Sequence, residues 1–420
     1  MSLKKALSYS AVESIGSRVF DFITLWVVLN TLETSDLAKF GLATSAIFMF
    51  NMFLMAPETA LFKYQKQWGK SGVLEKYLSA FVSFSVFKIS LHYIAAIVVL
   101  IVTKELSWAF YAVVFSAITQ QIQAAEISRI FHRMELKQRK VAHFEIVSKV
   151  ALMALCLVLF FKASIKIYFA IYFGWSFFVA FLWLYNLNRT NAFSIGFSLE
   201  NARLVRDALS GYSFWTHISG VMTVYIYNGS LLFLGWLGTH ENDIALYTVI
   251  NKVANLFFVI PMFFQSFVPV VLANSGIEYQ RKFNKVLLAS GAFSVAQFLF
   301  FLLFGRLLGQ VFGLETQSEI NTFYELGLIA SSGILILNVS RPISTYLLIK
   351  SSPKRVMLCV FMPAVLFASL IFPVAIKKCA LMGAAYASAF IYLFVAALLL
   401  IQYIQTLKKN HEDICCYSNV

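Results

Sequence analysis

Charged and polar side chains interrupt long apolar runs at a few places in this sequence, and those are the positions at which chemistry can be sought. Ser14, Ser17, Arg18, Asp21 and Thr24 recur at i, i+3, i+4, i+7 and i+10, which is one stripe of a helix. Ser85, Lys88 and His92 share a face in another run, and Asn251 with Lys252 lies about two turns inside a third. A charge near the centre of a bilayer costs roughly 2.5–3.5 kcal/mol on insertion scales, so such a residue faces a cavity or a partner. Together Arg18, Lys88 and Lys252 would make a cationic interior. A pyrophosphate or an acidic sugar needs such an interior in order to shed its water.

A plainer reading stands beside each of these. Arg18 and Asp21 sit three apart and neutralise one another on one helix, and Lys88 and Lys252 each pair structurally with a neighbouring helix. Glu145 with Lys149, and Glu126 with Arg129, read as interfacial pairs within their own helices. Arg341, just before Pro342, lies close enough to a helix end to snorkel, although a proline-broken helix beside a cation is also how transporters expose backbone. Pro261 and Pro269 mark either a flexing element or simple kinks. His217 is a cavity histidine, a proton carrier or a packing residue.

Catalytic motifs are missing. The sequence contains no zinc-protease helix, no complete Gly-x-x-x-x-Gly-Lys-Ser/Thr phosphate-binding loop and no dinucleotide Gly-x-Gly-x-x-Gly. Ser85-x-x-Lys88 matches a nucleophile pair but lies mid-span without its companion motifs. The five cysteines, Cys156, Cys359, Cys379, Cys415 and Cys416, have neither metal-ligand nor disulfide-framework spacing. No catalytic residue, metal site or cofactor is expected.

The elements that must hold these side chains are membrane helices. At 60% hydrophobic and 13% charged residues, too little polar surface remains to coat a soluble globule of 420 residues. Apolar runs of roughly 18–25 residues match a hydrocarbon core about 30 Å thick. They predict an all-α integral membrane protein with spans at about 10–31, 38–62, 77–102, 107–131, 144–161, 165–186, 211–237, 244–272, 285–305, 321–347, 356–376 and 380–403. The net charge of +14 is distributed between these runs rather than along a soluble stripe, which argues against nucleic acid as a partner. Basic residues favour one set of loops by roughly three to one, which places both termini in the cytoplasm. Glu13 and Arg18 interrupt the first run, so it reads as a retained helix rather than a signal peptide.

The polar stretch 187–210 divides the runs into two sets of six. The expected organisation is an N-terminal lobe at 1–190, a cytoplasmic linker at 191–210, a C-terminal lobe at 211–405 and a cytoplasmic tail at 406–420. A short internal repeat supports it: Asp36-Leu-Ala-Lys-Phe40 between the first two runs matches Asp243-Ile-Ala-Leu-Tyr247 between the seventh and eighth. In that register Asp21 corresponds to Asn228. Gly305, Gly309 and Gly313 recur at the close-packing spacing of membrane helices and read as structure.

Several local patterns, in order along the chain, resemble the Wzx-type O-antigen and lipid-linked oligosaccharide flippases of the multidrug/oligosaccharidyl-lipid/polysaccharide exporter superfamily. They are Leu232-Phe-Leu-Gly-Trp-Leu-Gly238, Ala245-Leu-Tyr247, Phe267-Val-Pro269, Phe312-Gly313 and Gly383-Ala-Ala-Tyr-Ala387. The resemblance implies a two-lobed, V-shaped bundle in the bacterial inner membrane. Its cargo would be undecaprenyl-pyrophosphate-linked repeat units, carried from the cytoplasmic to the periplasmic leaflet by alternating access. The partners would be the anionic lipid-linked substrate, membrane lipids, a polysaccharide polymerase and a chain-length regulator, and the protein would be a monomer. On that reading Arg18, Asp21, Lys88, His92, Asn228, Asn251, Lys252 and Arg341 line the cavity. A small-molecule exporter of the same superfamily is the alternative, with Asp21, Glu13 or Glu126 coupling transport to an ion. A polytopic polymerase or ligase is the remaining reading, but such an enzyme needs a large outer loop, and the longest here, about 306–320, offers only Arg306, Glu315 and Glu319 as charges.

Overall fold

The computed structural model describes residues 3–51, 55–191, 193–210, 212–256, 268 and 279–417. Among them secondary structure is helical throughout, with no strand. Among the described residues seven helical segments are long and apolar enough to cross a membrane. Their outward faces are apolar: in the helix Leu74–Thr103, Ile101 is 67% and Val102 74% exposed, surface that only lipid would cover favourably. This is a multi-pass membrane protein.

The chain forms two compact units, Met1–His217 and Ile218–Val420. In the first, α1 (Leu3–Thr31) is followed by α2 (Thr34–Ser45), α3 (Ile47–Asn51) and α4 (Leu61–Lys70). The expected single span at 38–62 is therefore corrected to a broken one. Pro57 has no backbone N–H to give a helix, and Ala56 before it leaves the helical region (φ −107°, ψ 87°), so only a 3-10 turn, Pro57–Ala60, precedes α4. Then come α5 (Leu74–Thr103), α6 (Trp108–Met134), α7 (Gln138–Cys156) and α8 (Ile165–Thr190).

The stretch expected as a polar linker contains α9 (Leu199–Leu209), which buries Val205 and Ala208 in a core shared with Trp68, Leu78, Phe81 and Phe131. Trp68 stacks on Tyr77 at 3.8 Å between ring centroids. The hydroxyls of Ser79 and Ser83, one turn apart on α5, accept hydrogen bonds from the backbone N–H groups of Ser194 (3.1 Å) and Gly196 (3.0 Å). These two bonds dock the connection onto α5 and satisfy two of its free backbone donors.

The second unit takes most of α10 (Tyr212–Trp236), then α11 (Glu241–Leu256), α12 (Tyr279–Val311), α13 (Gln317–Lys350) and the short α14 (Pro353–Val356). A π-turn, Met357–Phe361, leads into α15 (Met362–Tyr417). Pro261, Phe267 and Pro269 lie outside the described residues. Within α15, Cys379 and Ala380 leave helical geometry, Ala380 with φ 45° in the left-handed region. The chain reverses there: Phe367 and Phe394 touch, ring centroids 4.9 Å apart, where unbroken helix would hold them roughly 40 Å apart. The expected runs at 356–376 and 380–403 are the two arms of this hairpin.

The repeated Asp36 and Asp243 both stand in the first turn of their helices, where a carboxylate meets the positive end of the helix dipole. Asp36 also accepts the Ile165 N–H at 2.9 Å, tying α2 to the start of α8. Phe40 and Tyr247, four residues on, are both buried. The Gly305/Gly309 face meets α13, where an added Cβ at Gly305 would lie 2.8 Å from the Tyr324 ring.

Gly383 is the tightest position, because a Cβ there would sit 2.0 Å from the backbone oxygen of Ala375 in the opposing arm. Gly383→Ala is expected to destabilise the protein by about 3 kcal/mol or more, since backbone cannot retreat as a side chain does. Gly220→Ala, which meets open space, is expected to be neutral or mildly stabilising. Thermal unfolding of the two purified variants in detergent checks both.

Candidate functional site

The interior charges of the first unit form two clasps between α1, α6, α7 and α8. In the first, Glu13 on α1 meets Arg133 on α6 at 2.6 Å, Arg133 meets Glu126 at 2.9 Å, and Glu126 meets Arg129 at 3.1 Å. Arg129 then reaches Glu145 on α7 at 2.7 Å, and the indole N–H of Trp183 on α8 donates to the same carboxylate at 3.0 Å. In the second, Lys149 on α7 binds Asp21 on α1 at 2.6 Å and lies over the Trp175 ring of α8. Arg18 stands 3.9 Å from Asp21 with its side chain 47% exposed.

This corrects the expectation of a Glu145–Lys149 pair within α7. Both residues turn to different helices, because a bridge between helices neutralises two buried charges and fixes packing at once, whereas an i,i+4 pair does only the first. Glu126 and Arg129 do pair, but as the middle of a chain of five groups.

Lys88 is fully buried on α5. Its ammonium donates to the Met55 carbonyl at 3.1 Å and to Gln123 Oε1 on α6 at 3.3 Å, and it lies near the Phe84 ring. Glu58, on the 3-10 turn before α4 and equally buried, is within electrostatic reach of it. His92, one turn along, hydrogen-bonds through Nδ1 to the Lys88 carbonyl (2.7 Å) and through Nε2 to the Ser116 hydroxyl (2.8 Å). A carbonyl can only accept, so Nδ1 carries a proton and both ring nitrogens are satisfied. Set side by side, five carboxylates (Glu13, Asp21, Glu58, Glu126, Glu145) face five cations (Arg18, Lys88, Arg129, Arg133, Lys149). Among the described residues each of these carboxylates has a cation near it, Glu58 by proximity to Lys88 and the others through ion pairs.

In the second unit the polar groups gather on Tyr227 of α10. Asn251 on α11 donates to its carbonyl at 3.1 Å, Arg341 on α13 lies over its ring at 5.0 Å, and Tyr392 on α15 meets it edge-on at 5.8 Å. Arg341 is only 8% exposed, so the expectation that it snorkels is corrected: Pro342 and the aromatic rings hold it inside the bundle. Asn255 donates to Asn251 at 3.0 Å, and half-buried Lys252 follows on the same helix. Asn228 turns back on its own helix, donating to the Val224 carbonyl at 3.1 Å. Four helices thus converge on Tyr227, whose ring lies under one guanidinium. Such a group can bind a phosphate or carboxylate without a large conformational cost. Among the described residues no three His, Cys, Asp or Glu side chains come together as a metal site.

Tyr227, Tyr392, Glu58, Gln123 and Trp183 were not among the residues expected from sequence. Glu58 and Gln123 were visible as polar residues within apolar runs. The tyrosines and the tryptophan carry no such mark, because aromatic residues are common throughout this chain.

No protein-family model and no curated protein sequence matches the chain. Solved structures do. The chain is similar to the lipid II flippase MurJ in an inward closed conformation, with TM-score 0.69 and 15% identity over 94% of this chain and 87% of that one. It is similar to a mutant form of the Vibrio cholerae MATE transporter VcmN, with TM-score 0.67 and 11% identity over 97% of both chains. An inward-facing multidrug resistance MATE family transporter of the MOP superfamily gives TM-score 0.57 and 14% identity over 93% of this chain and 94% of that one. Identities this low establish the fold, which this chain shares with MurJ and the MATE transporters.

Arg129 is the link whose loss should cost most in the first clasp. Arg129→Ala is expected to destabilise the protein by about 3–5 kcal/mol, because it leaves the Glu145 carboxylate buried and uncompensated. Adding Glu145→Gln should restore part of that loss, as read by thermal unfolding in detergent. An equal deficit in single and double variants would show that Arg129 acts through packing instead.

Proposed function

We propose that this protein is a flippase for lipid-linked oligosaccharides carried on a polyprenyl pyrophosphate, of the O-antigen or capsule type, working by alternating access. The observation that carries this reading is Arg341, a buried cation over the ring of Tyr227, which Tyr392 meets edge-on, in a fold that matches a lipid II flippase over nearly its full length. A multiply charged pyrophosphate head is the cargo such a cation serves, while the prenyl tail stays in lipid. On this reading Asn251, Lys252 and Asn228 of the second unit and Arg18, Asp21, Lys88 and His92 of the first are the further polar groups offered to the head group.

On this reading the protein sits in the bacterial inner membrane as a monomer with both termini cytoplasmic. It takes lipid-linked cargo from the cytoplasmic leaflet and passes it toward a polymerase and a chain-length regulator. It catalyses no covalent step. The second reading, a small-molecule exporter, is favoured by the likeness to MATE transporters, and there Asp21, Glu13 or Glu126 would couple transport to an ion.

Reconstituted into proteoliposomes, the protein is expected to move a fluorescent polyprenyl-pyrophosphate oligosaccharide between leaflets, as read by protection from an external quencher. Arg341→Gln should lower the rate about tenfold or more, the loss of one charge-assisted contact, with unchanged yield of folded protein. Transport of a fluorescent organic cation with no movement of the lipid-linked substrate would overturn the flippase reading in favour of the exporter.

A further inference from the structure

A cavity of about 690 Å³ opens in the first unit where the start of α7 faces the beginning of α1. Its rim carries Lys137, Arg139, Lys140 and His143, and its floor is Val12, Ala142 and Ile146 beside the ring of Tyr9. Among the described residues no carboxylate lines it. Lys140 is held in place by Asn186 at 2.6 Å, and Lys137 is partly neutralised by Glu135 at 2.5 Å. Arg139 and His143, one turn apart on the same face, are exposed and make no ion pair among the described residues.

A second observation extends the floor. Val12, Ile15, Val19 and Phe22 follow at i, i+3, i+7 and i+10 on α1, and all are exposed, Val12 by 55% and Ile15 by 59%. An apolar stripe roughly 15 Å long therefore runs from the cationic rim along α1. A free inorganic anion would use the rim and leave the stripe uncovered. An amphiphile with an anionic head and a long hydrocarbon tail uses both.

We infer that this cavity is a binding site for the phosphate head group of a membrane lipid, with Arg139 and Lys140 meeting the phosphate and the tail lying along Val12, Ile15 and Val19. The site is separate from the Arg341 cluster, and it stands whether the transported cargo is a lipid-linked sugar or a small molecule. Bulk anionic phospholipid and the pyrophosphate of a lipid-linked cargo offer the same chemistry, and competition separates them.

The test is native mass spectrometry of the full chain in detergent, titrated with phosphatidylglycerol. Saturable binding is expected, weakened about fivefold in Arg139→Gln and about twenty-five-fold in Arg139→Gln/Lys140→Gln, on the basis of roughly one kcal/mol per cation. Lys285→Gln, an exposed lysine in the other unit, should leave it unchanged. Displacement by polyprenyl pyrophosphate at lower concentration would support the site and assign it to cargo; failure to displace would support it as a phospholipid site. Wild-type affinity in Arg139→Gln, which touches no described partner and so should fold, would overturn the inference. Equal affinity for phosphatidylcholine or for inorganic phosphate would overturn it too. None of these outcomes depends on transport, so failure here leaves the flippase reading standing.

Discussion

Charge inside hydrocarbon must be matched by charge, and in this protein that requirement organises how helices meet. An isolated ion in a spanning helix is tolerated only beside a partner or in a wet cavity. The first unit answers with partners on other helices. Glu13 to Arg133 ties α1 to α6, Arg129 to Glu145 ties α6 to α7, and Lys149 to Asp21 closes α7 back onto α1. Each bridge replaces an unsatisfied ion with a contact that also fixes helix register. Trp175 and Trp183 of α8 complete the arrangement from outside, one offering a ring face to Lys149 and the other a hydrogen bond to Glu145.

The two units treat their polar groups differently. In the first, carboxylates and cations alternate along two separate clasps. In the second, the described cluster is built of a guanidinium, amides and phenol rings around Tyr227. The Tyr227 ring face stabilises the Arg341 guanidinium through its π electrons rather than through a formal charge.

Much of the fold was legible because hydrocarbon thickness imposes one simple length on every span. The runs at 77–102, 107–131 and 165–186 reappear nearly unchanged as α5, α6 and α8. Failure came where local backbone chemistry overrode hydropathy: Pro57 broke a largely apolar run, and the polar stretch after α8 folded into α9 because Val205 and Ala208 face one way. For the polar side chains, sequence showed which charges lie within spans but not whom they meet. Glu145 and Lys149 look like natural partners at i,i+4, yet each has a better one on a separate helix. Intrahelical spacing is visible in one dimension, and contacts between helices are not. The cluster on Tyr227 was hidden for a related reason, since a phenol ring under a guanidinium carries no periodic mark.

The placement of the two indoles gives the first unit an optical gauge of its own. Trp183 donates to the carboxylate of one clasp and Trp175 lies beneath the ammonium of the other. Indole emission responds to nearby charge and hydrogen bonding, so parting α7 from α1 would shift the colour of Trp175, and parting it from α6 that of Trp183. With the other tryptophans replaced by phenylalanine, the native chain would report the opening of each contact separately, without any attached dye.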